Sequence, residues 1–192
     1  MFKAKRRTVV TATAVAAVLL AGALAVTLLT QGNSNTSGSD GIVEYQQGQR
    51  PLAPNVTDTS LTGSTIKLSS YRGKTVVLNF WGSWCPPCRG EAPTLADLDE
   101  QYGSKGVAFL GDDVGDTPTN ALAFTHRAGI TYPSFSDNGY LVVADFSDAG
   151  VAVSDTPTTV VIDKTGHVAG MILGAVGYEQ LSTLIKDAAV TS

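Results

Sequence analysis

The chain contains only two cysteines, and they stand three residues apart in Trp84-Cys85-Pro86-Pro87-Cys88. What surrounds them constrains the fold more than any other stretch. Before them, Thr75-Val-Val-Leu-Asn-Phe-Trp81 is short, apolar and rich in β-branched residues, the pattern of a buried strand. After them, Leu95, Leu98 and Tyr102 recur at helical spacing. The pair therefore marks a strand-to-helix junction. With a helix starting near Cys85, side chains at i and i+3 share a face about 5–6 Å apart at Cβ. Small adjustments of the first turn then allow a disulfide. Pro86 and Pro87 suit that turn, whose N–H groups have no intrahelical partner to lose.

The same helix start presents unpaired N–H groups and a partial positive charge, which favour a thiolate at Cys85. Disulfide exchange needs such an exposed, acidified thiol. Cys85 reads as the attacking thiol and Cys88, one turn in, as the resolving one. Three blander readings compete. A structural zinc site usually needs four ligands, and His126 and His167 are far apart and unpaired in sequence. A structural disulfide closing so small a loop removes little chain entropy. Two inert core thiols would leave the flanking prolines unexplained. No metal or cofactor is called for, because the dithiol itself carries both electrons.

Phe80-Trp81-Gly-Ser-Trp84-Cys85-Pro-Pro-Cys88, with Pro93 five residues on, resembles the active-site segment of the thioredoxin superfamily. More narrowly, Cys85-Pro-Pro-Cys88-Arg-Gly-Glu91-Ala-Pro93 is similar to the extracytoplasmic TlpA/ResA-like thioredoxins. The resemblance runs from about Arg50 to the C-terminus. It implies an α/β, thioredoxin-like fold: a central mixed β-sheet flanked by helices, here with an N-terminal β-hairpin extension.

Charge and hydropathy set the remaining bounds. Met1 to Arg7 is basic, and Thr8 to Thr30 carries no charge, long enough for the roughly 20 residues that span a bilayer. Residues 1–30 read as a signal anchor, or as a signal peptide cut at Ala21-Gly-Ala23 or Ala23-Leu-Ala25. Positive charge in front places the rest outside, on the extracytoplasmic face of a bacterial membrane, or secreted if the segment is cut. Residues 31–49, rich in Gly, Ser, Asn and Thr at the start, read as a flexible tether, and residues 50–192 as the domain. The whole chain carries a net charge of −4. Lys3, Lys5, Arg6 and Arg7 stand in the first thirty residues with no acid, so taking these four charges from the −4 of the whole leaves −8 on the remainder. An acidic domain without a basic stripe excludes nucleic acid as an expected partner.

Within the domain, Val56 to Leu68 reads as a hairpin about Thr62-Gly63. Val107 to Leu110 reads as a strand, and Asp112-Asp113 as its solvated end rather than a calcium site, which would demand more oxygens. Thr117 and Pro118 open a helix to Ala128. Leu141 to Asp148 reads as a short helix, although Leu141-Val-Val143 also suits a strand. Pro157 belongs at the mouth of the apolar strand that follows, since it cannot donate to a ladder. The resemblance further implies that Thr156-Pro157 is a cis bond beside the cysteines, exposing backbone to a substrate. His167 reads as an exposed turn residue, and Tyr178 to Val190 as a closing amphipathic helix.

Exchange also requires a group that takes the Cys88 proton. Thioredoxins proper place a buried aspartate on the preceding strand, but the matching residue here is Asn79, which cannot titrate. Glu91 lies one turn beyond Cys88, on the side facing back toward the cysteines. The resemblance implies a functional glutamate there, so Glu91 is expected as general acid/base. Trp84, Pro86, Pro87, Thr156 and Pro157 are expected at the substrate surface. Asn79, Trp81 and Pro93, the last a mid-helix kink, are expected as structural neighbours.

These readings converge on a membrane-tethered, extracytoplasmic thiol–disulfide oxidoreductase acting on protein thiols and disulfides. A membrane electron donor or acceptor would restore it. Among substrates the resemblance implies apocytochrome c, reduced before haem attachment; an oxidant of exported proteins is equally compatible. Two rivals differ in class. A thiol peroxidase of the peroxiredoxin type would place Thr or Ser where Gly82 stands. A non-enzymatic haem-handling or chaperone module would tolerate loss of Cys85.

Overall fold

The computed structural model describes residues 36–37 and 41–190. The expected signal segment at 1–30 lies outside these residues, as does most of 31–40. No helix among the described residues is long and apolar enough to cross a membrane.

The elements follow in the order β1 (Thr36–Ser37), β2 (Ile42–Glu44), β3 (Thr57–Thr59), β4 (Thr65–Lys67), β5 (Thr75–Trp81) and α1 (Pro86–Tyr102). After these come β6 (Val107–Val114), α2 (Pro118–Ala128), β7 (Ser134–Asp137) and α3 (Leu141–Asp148). The chain closes with β8 (Thr158–Ile162), β9 (Val168–Leu173) and α4 (Tyr178–Val190). Among the described residues seven strands form one sheet in the order β1-β2-β9-β8-β5-β6-β7. β5 is parallel to β6 and antiparallel to β8, so the sheet is mixed, as expected. Strands β3 and β4 form the separate hairpin, turning at Gly63 with φ 83. Its tip is pinned to the sheet edge, where the Leu61 N–H donates to Ser134 O at 3.0 Å.

β5 is buried along its whole length, because helices cover one sheet face and the hairpin and α3 cover the other. Val76, Leu78 and Phe80 point to the second face, where Ile66, Val142 and Phe146 meet them. Val77 points to the first, against Leu95 and Leu98 of α1 and Leu181 and Ile185 of α4. Each such side chain contributes about 1.5–3 kcal/mol on burial. On that same first face, nearer the strand end, Trp81 packs with Cys85, Cys88, Ala92, Ala121 and Phe124. The period-two alternation of β5 thus delivers Asn79 and Trp81 to the side where α1 begins.

Two expectations need correction. Ile42–Glu44, inside the stretch read as tether, pairs with β9, and Tyr45 reaches the core. Three apolar or aromatic side chains in a polar stretch suffice for an edge strand once β9 offers a free ladder. Asp112 and Asp113 are not a solvated strand end: β6 continues to Val114, and both are buried. β6 is an inner strand, so β5 and β7 flank its last residues at Asp112↔Phe135 and Asp113↔Trp81. Leu141–Asp148 is helical, its first N–H groups taken by Asp137: Leu141 N at 2.6 Å, Val142 N at 3.1 Å and Val143 N at 3.3 Å.

Candidate active site

β5 ends at Trp81, three residues of loop follow, and Cys85 caps α1 with Pro86 and Pro87 in its first two positions. Cys85 and Cys88 are joined as a disulfide with Cα atoms 5.4 Å apart. The Cys88 N–H donates to Cys85 Sγ at 3.2 Å. An N–H donor so placed at a helix N-terminus favours negative charge on the sulfur. Pro86, Pro87 and Pro93 are exposed. Cys85 itself is only 2% exposed, which corrects the expectation of an open attacking thiol. The Thr156 carbonyl lies 3.7 Å from its sulfur, from a loop the local sequence does not bring near. Thr156-Pro157 is the cis bond among the described residues, with Thr156 half-buried and Pro157 buried.

Behind the disulfide lies a buried polar group of four partners. Glu91, 2% exposed, accepts from Asn79 Nδ2 at 2.9 Å through Oε1. Its Oε2 accepts from the Val176 N–H at 2.8 Å. The second Asn79 N–H goes to Thr159 Oγ1 at 2.9 Å. Burial pushes the Glu91 carboxyl up to about 7, while the Val176 and Asn79 donors pull the other way. It therefore holds or releases a proton near neutrality, one helical turn from Cys88. The segment supplying Val176 also ties down the cis bond, since the Gly174 N–H donates to Pro157 O at 2.9 Å.

The loop before Cys85 is fixed from the other side. The Ser83 N–H donates to Asp116 Oδ2 at 2.9 Å, and Trp84 Nε1 to Val114 O at 3.2 Å. Burial raises the Asp116 carboxyl, but hydrogen bonds from Ser83, Thr117 and Asn120 outweigh it and hold it below its ordinary value. Gly82 leaves room for this ring, since a Cβ there would stand 2.5 Å from the Trp84 indole nitrogen and push it aside. Trp84 remains 52% exposed, whereas Trp81 is buried against Phe124 with ring centroids 4.8 Å apart.

The Redoxin family model matches residues 46–185, which include every group just described. The chain belongs to the Redoxin family. Within it, the chain is a ResA-like thiol–disulfide oxidoreductase. It is 36% identical over 134 residues to the thiol-disulfide oxidoreductase ResA of Bacillus thuringiensis, covering 70% of this chain and 75% of that one. Among solved structures, a DsbF homologue from Corynebacterium diphtheriae superposes with TM-score 0.72 at 33% identity, covering 81% of this chain and 98% of that one. A secreted thiol-disulfide isomerase from Corynebacterium glutamicum gives 0.72 at 30% identity, covering 82% and 98%.

For this redoxin the sequence-read residues Asn79, Trp81, Trp84, Cys85, Cys88, Glu91, Thr156 and Pro157 gather around one disulfide. Asp116, Val114, Thr159 and Val176 join them and were not read from the sequence. Thr159 follows Pro157 closely enough to be suspected. Asp116 and Val176 act through pairings 33 and 85 residues long in sequence, which no local pattern signals. His126 is exposed on α2 and His167 is half-buried, its Nδ1 2.8 Å from Thr165 Oγ1.

Proposed function

We propose that Cys85 and Cys88 exchange disulfides with proteins outside the cytoplasmic membrane, with Glu91 as general acid/base. The Cys85 thiolate attacks a substrate disulfide, and the departing substrate thiolate takes a proton. Glu91 then removes the Cys88 proton, the Cys88 thiolate attacks Cys85 Sγ, and the mixed disulfide breaks to release the second substrate thiolate, which takes a proton back from Glu91. The substrate leaves as a dithiol and the protein as a disulfide, two electrons having moved. The observation that carries this reading is a buried carboxyl near neutrality, one turn from Cys88 and held by Asn79 and Val176. Trp84, Pro86, Pro87 and the Thr156-Pro157 loop form the surface the substrate meets.

The basic start and uncharged stretch to Thr30 support a membrane tether, or secretion after cleavage. Similarity to ResA proteins supports a reductant for apocytochrome c, recharged by a membrane electron donor. Similarity to a secreted thiol-disulfide isomerase supports a second reading, an oxidant or isomerase of exported proteins. A peroxidase is disfavoured, because Gly82 stands where the peroxiredoxin motif carries Thr or Ser.

The reduction potential decides between the two, measured on the full-length protein in glutathione or dithiothreitol buffers by tryptophan fluorescence. A value at or below about −230 mV supports the reductant, and one near about −120 mV the oxidant. Absence of a reversible two-electron transition overturns both.

A further inference from the structure

We propose that Trp84 and Tyr140 form one aromatic shelf beside the disulfide, on which a substrate protein lays an apolar side chain from the extended segment carrying its cysteine. This rests on exchange at Cys85 and adds what the site selects.

The two rings come from distant parts of the chain and rest on the same turn. Trp84 donates its indole N–H to Val114 O. Tyr140 lies over the next residue: a Cβ on Gly115 would stand 2.8 Å from its Cζ. Gly115, at φ 60, supplies both the turn and the space. The turn is anchored as well, because the N–H groups of Gly115 and Tyr140 both donate to Asp137 O, at 3.1 and 3.3 Å.

An exposed tyrosine alone would mean little. Tyr140, however, is the only non-glycine residue among those described with a positive φ, at 59. The turn is Asp137-Asn138-Gly139-Tyr140, and Asn138 or Gly139 would adopt that conformation far more readily. The left-handed backbone sits instead under a large ring. Tyr140 is 53% exposed, and its neighbour Leu141 is 65% exposed. The fold thus holds an unfavourable backbone where it displays apolar surface.

What covers this surface follows from continuity with the reacting sulfur. Cys85 is almost closed off, so a substrate cysteine must seat closely against Trp84 on one side and the Thr156 carbonyl on the other. Substrate residues running past Trp84 then meet Tyr140 and Leu141. The shelf is aromatic and apolar, so its partner is an apolar side chain.

The test uses full-length protein in reduced form and three disulfides. Two are synthetic peptides with an internal Cys-Xaa-Xaa-Cys disulfide, one flanked by leucine and phenylalanine, the other by serine. The third is oxidised glutathione. Tyr140→Gly removes the ring at a φ glycine tolerates, and Tyr140→Asn repeats the test should that variant melt early. The unaltered protein should reduce the apolar peptide about fivefold faster than the serine peptide, the scale of one aromatic contact. In either variant that ratio should fall toward one, with the ratio of serine peptide to glutathione unchanged. An undiminished preference in the variants, no preference in the unaltered protein, or an equal fall for all three disulfides overturns the shelf. Failure of the unaltered protein to exchange at all, neither reducing any of the three disulfides nor, in oxidised form, oxidising the corresponding thiols, would instead overturn exchange at Cys85.

Discussion

At Glu91, burial and two N–H donors pull in opposite directions, and burial wins. A carboxyl at about 7 changes charge around neutral pH. If it removes the Cys88 proton, resolution of the mixed disulfide should accelerate as pH rises through about 7. Glu91→Gln keeps the shape and should abolish that inflection, slowing resolution by about 100-fold, as for a lost general base. Stopped-flow fluorescence on a mixed disulfide with a peptide thiol would show it. A variant retaining the inflection assigns it to another group. Asn79→Leu makes the converse case. It removes a donor that favours the charged carboxylate, so the inflection should move to higher pH. A shift to lower pH would mean that Asn79 does not hold Glu91 in solution.

The element that shows most about packing is the end of β6. Asp112 and Asp113 stand on opposite faces of one strand, and neither takes a hydrogen bond from an N–H group among the described residues. Burial, then the charge of Asp137, pushes Asp112 well above the usual carboxylate range. Burial, then Asp116, pushes Asp113 up to about 7. Asp137 meanwhile caps α3 through three N–H groups. Asp137→Ala should therefore cost about 1–2 kcal/mol at pH 5, the usual loss of an N-terminal cap. At pH 8 the loss should be smaller, since Asp112 and Asp113 are freed of a like-charged neighbour. Urea unfolding at the two pH values would measure the difference. An equal cost at both would show that the aspartates do not interact.

Across the whole molecule these raised carboxyls act together. Glu91 moves from 4.5 to about 7 and Asp113 from 3.8 to about 7. Between each pair of values the folded state holds a proton that the unfolded chain releases. Stability therefore falls as pH rises through that window, by on the order of a few kcal/mol per group once both states are ionised. The oxidised protein should melt at a higher temperature at pH 5 than at pH 8, the reverse of a protein dominated by paired carboxylates. Asp113→Asn should flatten this dependence, and a higher melting temperature at pH 8 would count against it. At the other end of the sheet, Asp163 runs against this trend. Burial raises it, but Thr165, Arg50 and His167 outweigh that, and its pair with Arg50 at 2.9 Å ties the start of the domain to the β8–β9 turn.

The strand Thr75–Trp81, the helix behind Cys85, the capped helix at Thr117 and the closing helix were legible because each writes its burial into a local period of two or 3.6 residues. Thr156-Pro157 and Glu91 were legible as positions, through motif and spacing. Other features depend on which strands become neighbours, which local pattern does not encode. Only the sheet order makes β6 an inner strand, so only the fold could show Asp112 and Asp113 as buried acids. Only β9's free edge turns Ile42–Glu44 from tether into strand. Val176 reaches Glu91, Asp116 reaches Ser83 and Tyr140 reaches the turn under Trp84 across many residues of chain. The sequence by itself determined the central strand, the main helices and the redox pair. Tertiary structure decided the charge state of the acid behind that pair and the surface beside it, because burial and long-range hydrogen bonds arise only once the strands are in place.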